Sequence, residues 1–177
     1  MTRVTVGGTS PRVLVAGVGN VFRGDEGFGV EVVRRLERRP LPPGVDVADF
    51  GIRRIDLLHA LGDDYRTVVL VEAASRGGVP GTVSLVEPDA ARAGLAVDPR
   101  VPRPFDPAAL ARDNGKVPAR TLLVTCEPSV RAADAPWEMR LSEPVGAAVG
   151  VAARLVEGVV AAEIGRLVAR RAARRTV

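Results

Sequence analysis

Cysteine is almost missing from this 177-residue chain: Cys126 stands alone, which excludes a disulfide framework and a cysteine-rich zinc site. His59 is the only imidazole and Lys116 the only lysine. Aromatic residues are scarce at 3%, so a core must be built from Val, Leu and Ala, as a buried sheet between helices requires. No uninterrupted apolar run reaches the roughly 20 residues of a membrane span, because Arg and Glu break the longest one. The first eleven residues are polar and glycine-rich and carry no apolar signal-peptide core. Without disulfides or a signal peptide, the chain is expected in the cytoplasm.

What is abundant is apolar residue, 46%, against 26% charged, the balance of a globular chain long enough for one domain. The expected division is a polar segment over 1–11, a single α/β domain over 12–170 and a basic tail over 171–177. The net charge is +4, and the surplus gathers at Arg166, Arg170, Arg171, Arg174 and Arg175. No aromatic interleaves with these arginines, so they are read as cations at a helix C-terminus rather than as a nucleic-acid surface.

Val13 to Val18 is a short apolar run ending in a glycine-rich loop, which suits a central parallel strand. A helix follows, with Phe28, Val32 and Leu36 on one face and paired arginines on the other. Val45 to Phe50 alternates as a strand, and Ile55, Leu58 and Ala60 mark a short second helix. Thr67 to Val71 reads as a buried strand. Thr82 to Val86 is the next, joined to it by a connection too short for a helical crossover. Prolines at 88, 99, 102, 104 and 107 forbid a long helix in the segment that follows, apart from a short stretch over 108–112. Arg120 to Thr125 is the last strand. Ser142 and Pro144 open a long final helix with Val145, Val149, Ala152, Val156 and Ile164 on its buried side. Gly146 and Gly150 lie on that side, where they would let helix and sheet approach. The fold class is therefore a three-layer α/β domain, a mostly parallel twisted five-stranded sheet flanked by helices on both faces.

In such sheets, sites form where loops leave the C-terminal ends of strands. Asp25-Glu26, Asp49 and Glu72 fall there. An acid in a helix's first turn, such as Glu26, is favoured by the helix dipole alone. Glu72 directly follows five apolar residues of a central strand and needs a charge or a metal to offset its desolvation. The Gly17-Val18-Gly19 turn does not complete a dinucleotide fingerprint, since Phe22 stands where its third glycine belongs. His59, about two turns into a helix, is read as a structural residue away from the site edge.

Gly17-Val18-Gly19-Asn20 through Asp25-Glu26 to Gly29 resembles the N-terminal signature of the hydrogenase maturation proteases, G-[IV]-G-N-x₄-D-[DE]-x-x-G. The likeness continues through Asp49-Phe50-Gly51, Pro80-Gly81-Thr82-Val83, Cys126-Glu127-Pro128 and Leu141-Ser142-Glu143-Pro144-Val145, in the family's order. The resemblance implies an endopeptidase that trims a C-terminal extension from a [NiFe]-hydrogenase large-subunit precursor. It further implies recognition of nickel supplied by that precursor, no organic cofactor, no membrane or nucleic-acid partner, and a monomer. Its rival is a relative that keeps the fold and acts as a binding or assembly factor.

Carried over residue by residue, the resemblance places three metal contacts at Glu26, Glu72 and Asp106. Glu72 replaces an Asp and keeps the carboxylate on a longer arm. Asp106 falls at the family's His, an exchange of nitrogen for oxygen that suits harder ions than nickel. Asn20, Asp25, Asp49 and Gly51 are the implied substrate-binding residues.

Overall fold

In a computed structural model, the described residues are 12–61, 63, 65–87, 118–129 and 137–175. The strands are β1 (Val13–Val18), β2 (Val45–Gly51), β3 (Thr67–Ala73), β4 (Val83–Val86) and β5 (Arg120–Cys126). The helices are α1 (Phe28–Leu36), α2 (Arg54–Leu61) and α3 (Glu143–Arg175), with a 3-10 turn at Gly24–Gly27. They form one five-stranded sheet in the order β2-β1-β3-β5-β4. β1, β2, β3 and β5 run parallel, whereas β4 lies antiparallel outside β5. The short connection after β3 therefore carries the chain past the position that β5 later fills.

The pleat sorts the strand residues onto two faces. Val13, Val15, Val69, Val71 and Val124 face α1 and α3, while Leu14, Ala16, Val68, Leu70 and Leu123 face α2. β1 is buried along its whole length and β3 nearly so, as central strands covered on both sides must be. The edge strands β2 and β4 are only half-buried.

α1 presses against the sheet through glycine. A Cβ on Gly29 would lie 2.0 Å from the carbonyl oxygen of Val71 and 2.4 Å from that of Val18. One on Gly17 would lie 2.5 Å from the oxygen of Gly29. The close approach expected at Gly146 and Gly150 is not made there: Gly146 is exposed and Gly150 meets only arginine side chains. α3 instead packs its first turn onto the bend at Gly81, where a Cβ would meet Pro144 O at 2.7 Å.

Two further expectations change. Leu57 and Leu61, one turn apart, are the buried residues of α2, and Ile55 points outward at 68% exposure. Helix α3, expected to yield to a tail at 171, continues to Arg175. By length and composition α3 could also cross a membrane. Here Val145, Ala152, Val156 and Val160 are fully buried in the core shared with the sheet. Glu163 fastens the far half of α3 to the N-terminal ends of β3 and β5. It accepts hydrogen bonds from Thr67 Oγ1 at 2.9 Å and from Arg120 and Arg166, each at 2.5 Å. Arg166 is thus tied into a partly buried network around Glu163.

Candidate functional site

The loop after β1 is wound tightly by its sequence. Gly19 takes φ +141°, and a Cβ there would lie 1.8 Å from Glu26 O. Asn20 Oδ1 accepts the N–H of Phe22 at 3.0 Å and Asn20 O that of Arg23 at 3.1 Å, closing a local turn. The chain then enters the 3-10 turn with Gly24 at φ +53°. Glu26 sits half-buried on this turn, with Arg23 Nε 3.1 Å from its Oε1. Burial raises the Glu26 carboxyl above its ordinary value, against the opposing pull of Arg23.

Asp25, beside it, turns inward and is buried. Its Oδ1 accepts the Ser142 N–H at 2.7 Å, and its Oδ2 accepts the Ser129 N–H at 2.8 Å and the Ser142 hydroxyl at 2.9 Å. With the Ser142 proton given to Asp25, the 2.8 Å contact between the two serine hydroxyls runs from Ser129 to Ser142. The serine expected to cap α3 through its side chain therefore directs that hydroxyl to Asp25. Its carbonyl accepts the helical bond from Gly146 at 2.8 Å. Residues 137–140 join the same edge: Glu138 N–H donates to Phe22 O at 3.1 Å, and Gly24 N–H to Glu138 O at 2.5 Å.

Glu72 is buried near the C-terminal end of β3, in register with Thr125 of β5. The 3-10 turn packs against β3, and the start of α1 abuts Val71, the residue before Glu72. The structure therefore carries Glu26 and Glu72 to the same edge of the sheet on adjoining elements. Asp49 and Gly51 close the β2 side. Gly51 O accepts the N–H of Gly19 at 3.0 Å, and Asp49 lies 3.7 Å from the Arg34 guanidinium. Asp106, the third metal contact implied by the resemblance, and the short helix at 108–112 lie outside the described residues. Among the described residues, no three His, Cys, Asp or Glu side chains are grouped to hold a metal ion.

Neither of two residues often recruited for hydrolysis is poised to react. His59 is exposed on α2. Cys126 is buried, and burial, followed by the charges of Asp25 and Glu127, pushes its thiol up to about 12, far from a reactive thiolate.

Glu127, which in the sequence is only one position of the Cys126-Glu127-Pro128 motif, has a structural task. Its Oε2 accepts the Arg76 N–H at 2.7 Å, and its Oε1 accepts the Ser75 hydroxyl at 3.0 Å and the Gly77 N–H at 3.2 Å. Burial alone would raise its carboxyl, but these donors and the Gly78 N–H outweigh burial and hold it below its ordinary value. The available signal was an acid placed directly after a buried strand, the same reasoning that singled out Glu72.

A sequence profile described as hydrogenase maturation protease matches residues 30–159. A crystal structure of a hydrogenase 2 maturation peptidase from a Thaumarchaeota archaeon is 31% identical, with TM-score 0.65, over 85% of this chain and 98% of that one. The hydrogenase maturating endopeptidase HybD from E. coli shares the fold at TM-score 0.68 and 24% identity, over 86% and 93% of the two chains. The hydrogenase expression/formation protein HupD of Rhodobacter capsulatus is 34% identical over 121 residues, 66% of this chain and 57% of that protein. Fold and site together define an α/β protein with a carboxylate-bearing sheet edge. The chain belongs to the hydrogenase maturation protease family.

Proposed function

We propose that this chain is the endopeptidase that removes a C-terminal extension from a nickel-loaded [NiFe]-hydrogenase large-subunit precursor. The observation that carries this reading is the placement of Glu26 and Glu72. Two acids from two different elements reach one edge of a sheet, the edge at which sites form in α/β folds. Both are oxygen donors that can contact a metal brought by the precursor. Asp106 is the proposed third contact, and nickel is part of the substrate rather than a resident cofactor. Asp49, a third exposed, and the Gly51 turn border the same edge and would meet the peptide flanking the cut. The protein's share of the chemistry is positioning: gripping the metal holds the scissile peptide in one place.

The test is to mix the purified protein with nickel-loaded precursor and weigh the large subunit by intact-mass spectrometry. Loss of a short C-terminal peptide is the expected result. Stable binding with no mass loss would favour the assembly-factor reading.

A further inference from the structure

In Asp25 and Glu127 both carboxylate oxygens are taken up by hydrogen bonds from the protein itself. What they have in common is the segment 127–129. Glu127, its first residue, reaches back to the backbone and hydroxyl donors of residues 75–77, just beyond Glu72. Ser129, its last, donates its N–H to Asp25, the neighbour of Glu26. The main chain of the same segment is fixed as well. Glu127 N–H donates to Thr82 O at 3.0 Å and Gly81 N–H to Glu127 O at 2.8 Å, while just before the segment Ala74 N–H donates to Cys126 O at 3.0 Å.

We infer that Asp25 and Glu127 are positioning residues that act through segment 127–129 to set the placement of Glu26 relative to Glu72. The inference rests on the reading proposed above, in which those two acids contact the precursor's metal. Hydrogen bonds to ionised carboxylates are short and strong, so each acid makes a stiff joint. A bridged metal tolerates only about 0.5 Å of error in its contacts. With the joints at both ends of one three-residue segment, loosening either end frees the other: the loops after β1, β3 and β5 move as one unit.

Two measurements on Asp25→Asn, Glu127→Gln and the conservative Glu127→Asp test this. The first is steady-state processing of nickel-loaded large-subunit precursor. In Asp25→Asn and Glu127→Gln, kcat should fall about 10–100-fold, the usual cost of disturbing groups that orient metal contacts. KM should stay within about twofold, and Glu127→Asp should recover part of the loss. Unchanged kcat in both variants would overturn the inference. The second measurement, amide hydrogen exchange on the protein alone, holds even if the wild type cleaves nothing. Glu127→Gln should speed exchange both in residues 75–78 and in Ser129 and Ser142, and Asp25→Asn should do the same from the other end. Faster exchange confined to each variant's own loop would show two independent braces and contradict the inference. A wild type that leaves nickel-loaded precursor intact would count against the proposed function and leave the exchange result to stand.

Discussion

Gly29 approaches Val71 so closely that a single added methyl group would lie 2.0 Å from the Val71 carbonyl oxygen. The opposing atom is backbone of a fully buried residue in a central strand, so relief can come only by lifting α1 off the sheet. Gly29→Ala is therefore expected to cost about 3 kcal/mol or more, at the upper end of overpacking penalties. For a chain of this size that is about 6–12 °C in Tm. Because Glu72 follows Val71 and Glu26 precedes α1, processing of the precursor should fall as well. Thermal denaturation checks the first effect, and a wild-type Tm would mean that α1 is not packed as described.

Glu163 lies at the opposite end of the sheet and makes a pH-dependent prediction. Burial alone would raise its carboxyl, but Arg166, Thr67 and Arg120 outweigh it and bring it below the ordinary 4.5. A carboxyl lowered on folding contributes stability above its unfolded value and loses it as pH falls through its folded value. The contribution is therefore full near neutrality and fades below about pH 4.5. Glu163→Gln is expected to be about 2–3 kcal/mol less stable than wild type at pH 7, from the lost charge-assisted bonds. The gap should narrow on acidification below pH 4.5. Urea melts across pH measure it, and a gap that stays constant down to pH 3 would contradict the account.

Asp106→His addresses the donor set. Imidazole nitrogen binds nickel more strongly than a carboxylate oxygen does, so the variant should take up Ni²⁺ more tightly than the wild type. Calorimetry on the two isolated proteins decides it. Equal affinities would remove Asp106 from the contact set.

Much of this arrangement was legible in the sequence because burial writes itself into apolar runs. Val13–Val18 and Thr67–Val71 read as central strands, and they are, the second continuing through Glu72 to Ala73. The short link after β3 implied that the next strand reverses direction. That it pairs with β5 was not legible, since a four-residue strand names no partner. The buried face of α2 was misjudged because two turns give too few positions to define a stripe. Glu72 could be singled out because it directly follows an apolar run, and the structure places it inside β3 rather than in the loop beyond. Asp25 could not be told apart from a substrate contact, because its donors lie 104 and 117 residues away. Segment 127–129, to which it ties the first loop, belongs to a motif whose role only three-dimensional contact reveals.

The central claim is that Glu26 helps to read the precursor's nickel and that cleavage follows from that reading. Intact-mass spectrometry of the large subunit tests it in one experiment, using nickel-loaded and nickel-free precursor, each with wild type and with Glu26→Gln. The variant keeps the shape of a half-buried side chain and removes its charge, so circular dichroism should show an unchanged fold. Only nickel-loaded precursor mixed with wild type should lose its C-terminal peptide. Cleavage of nickel-free precursor, or undiminished cleavage by Glu26→Gln, would contradict the claim.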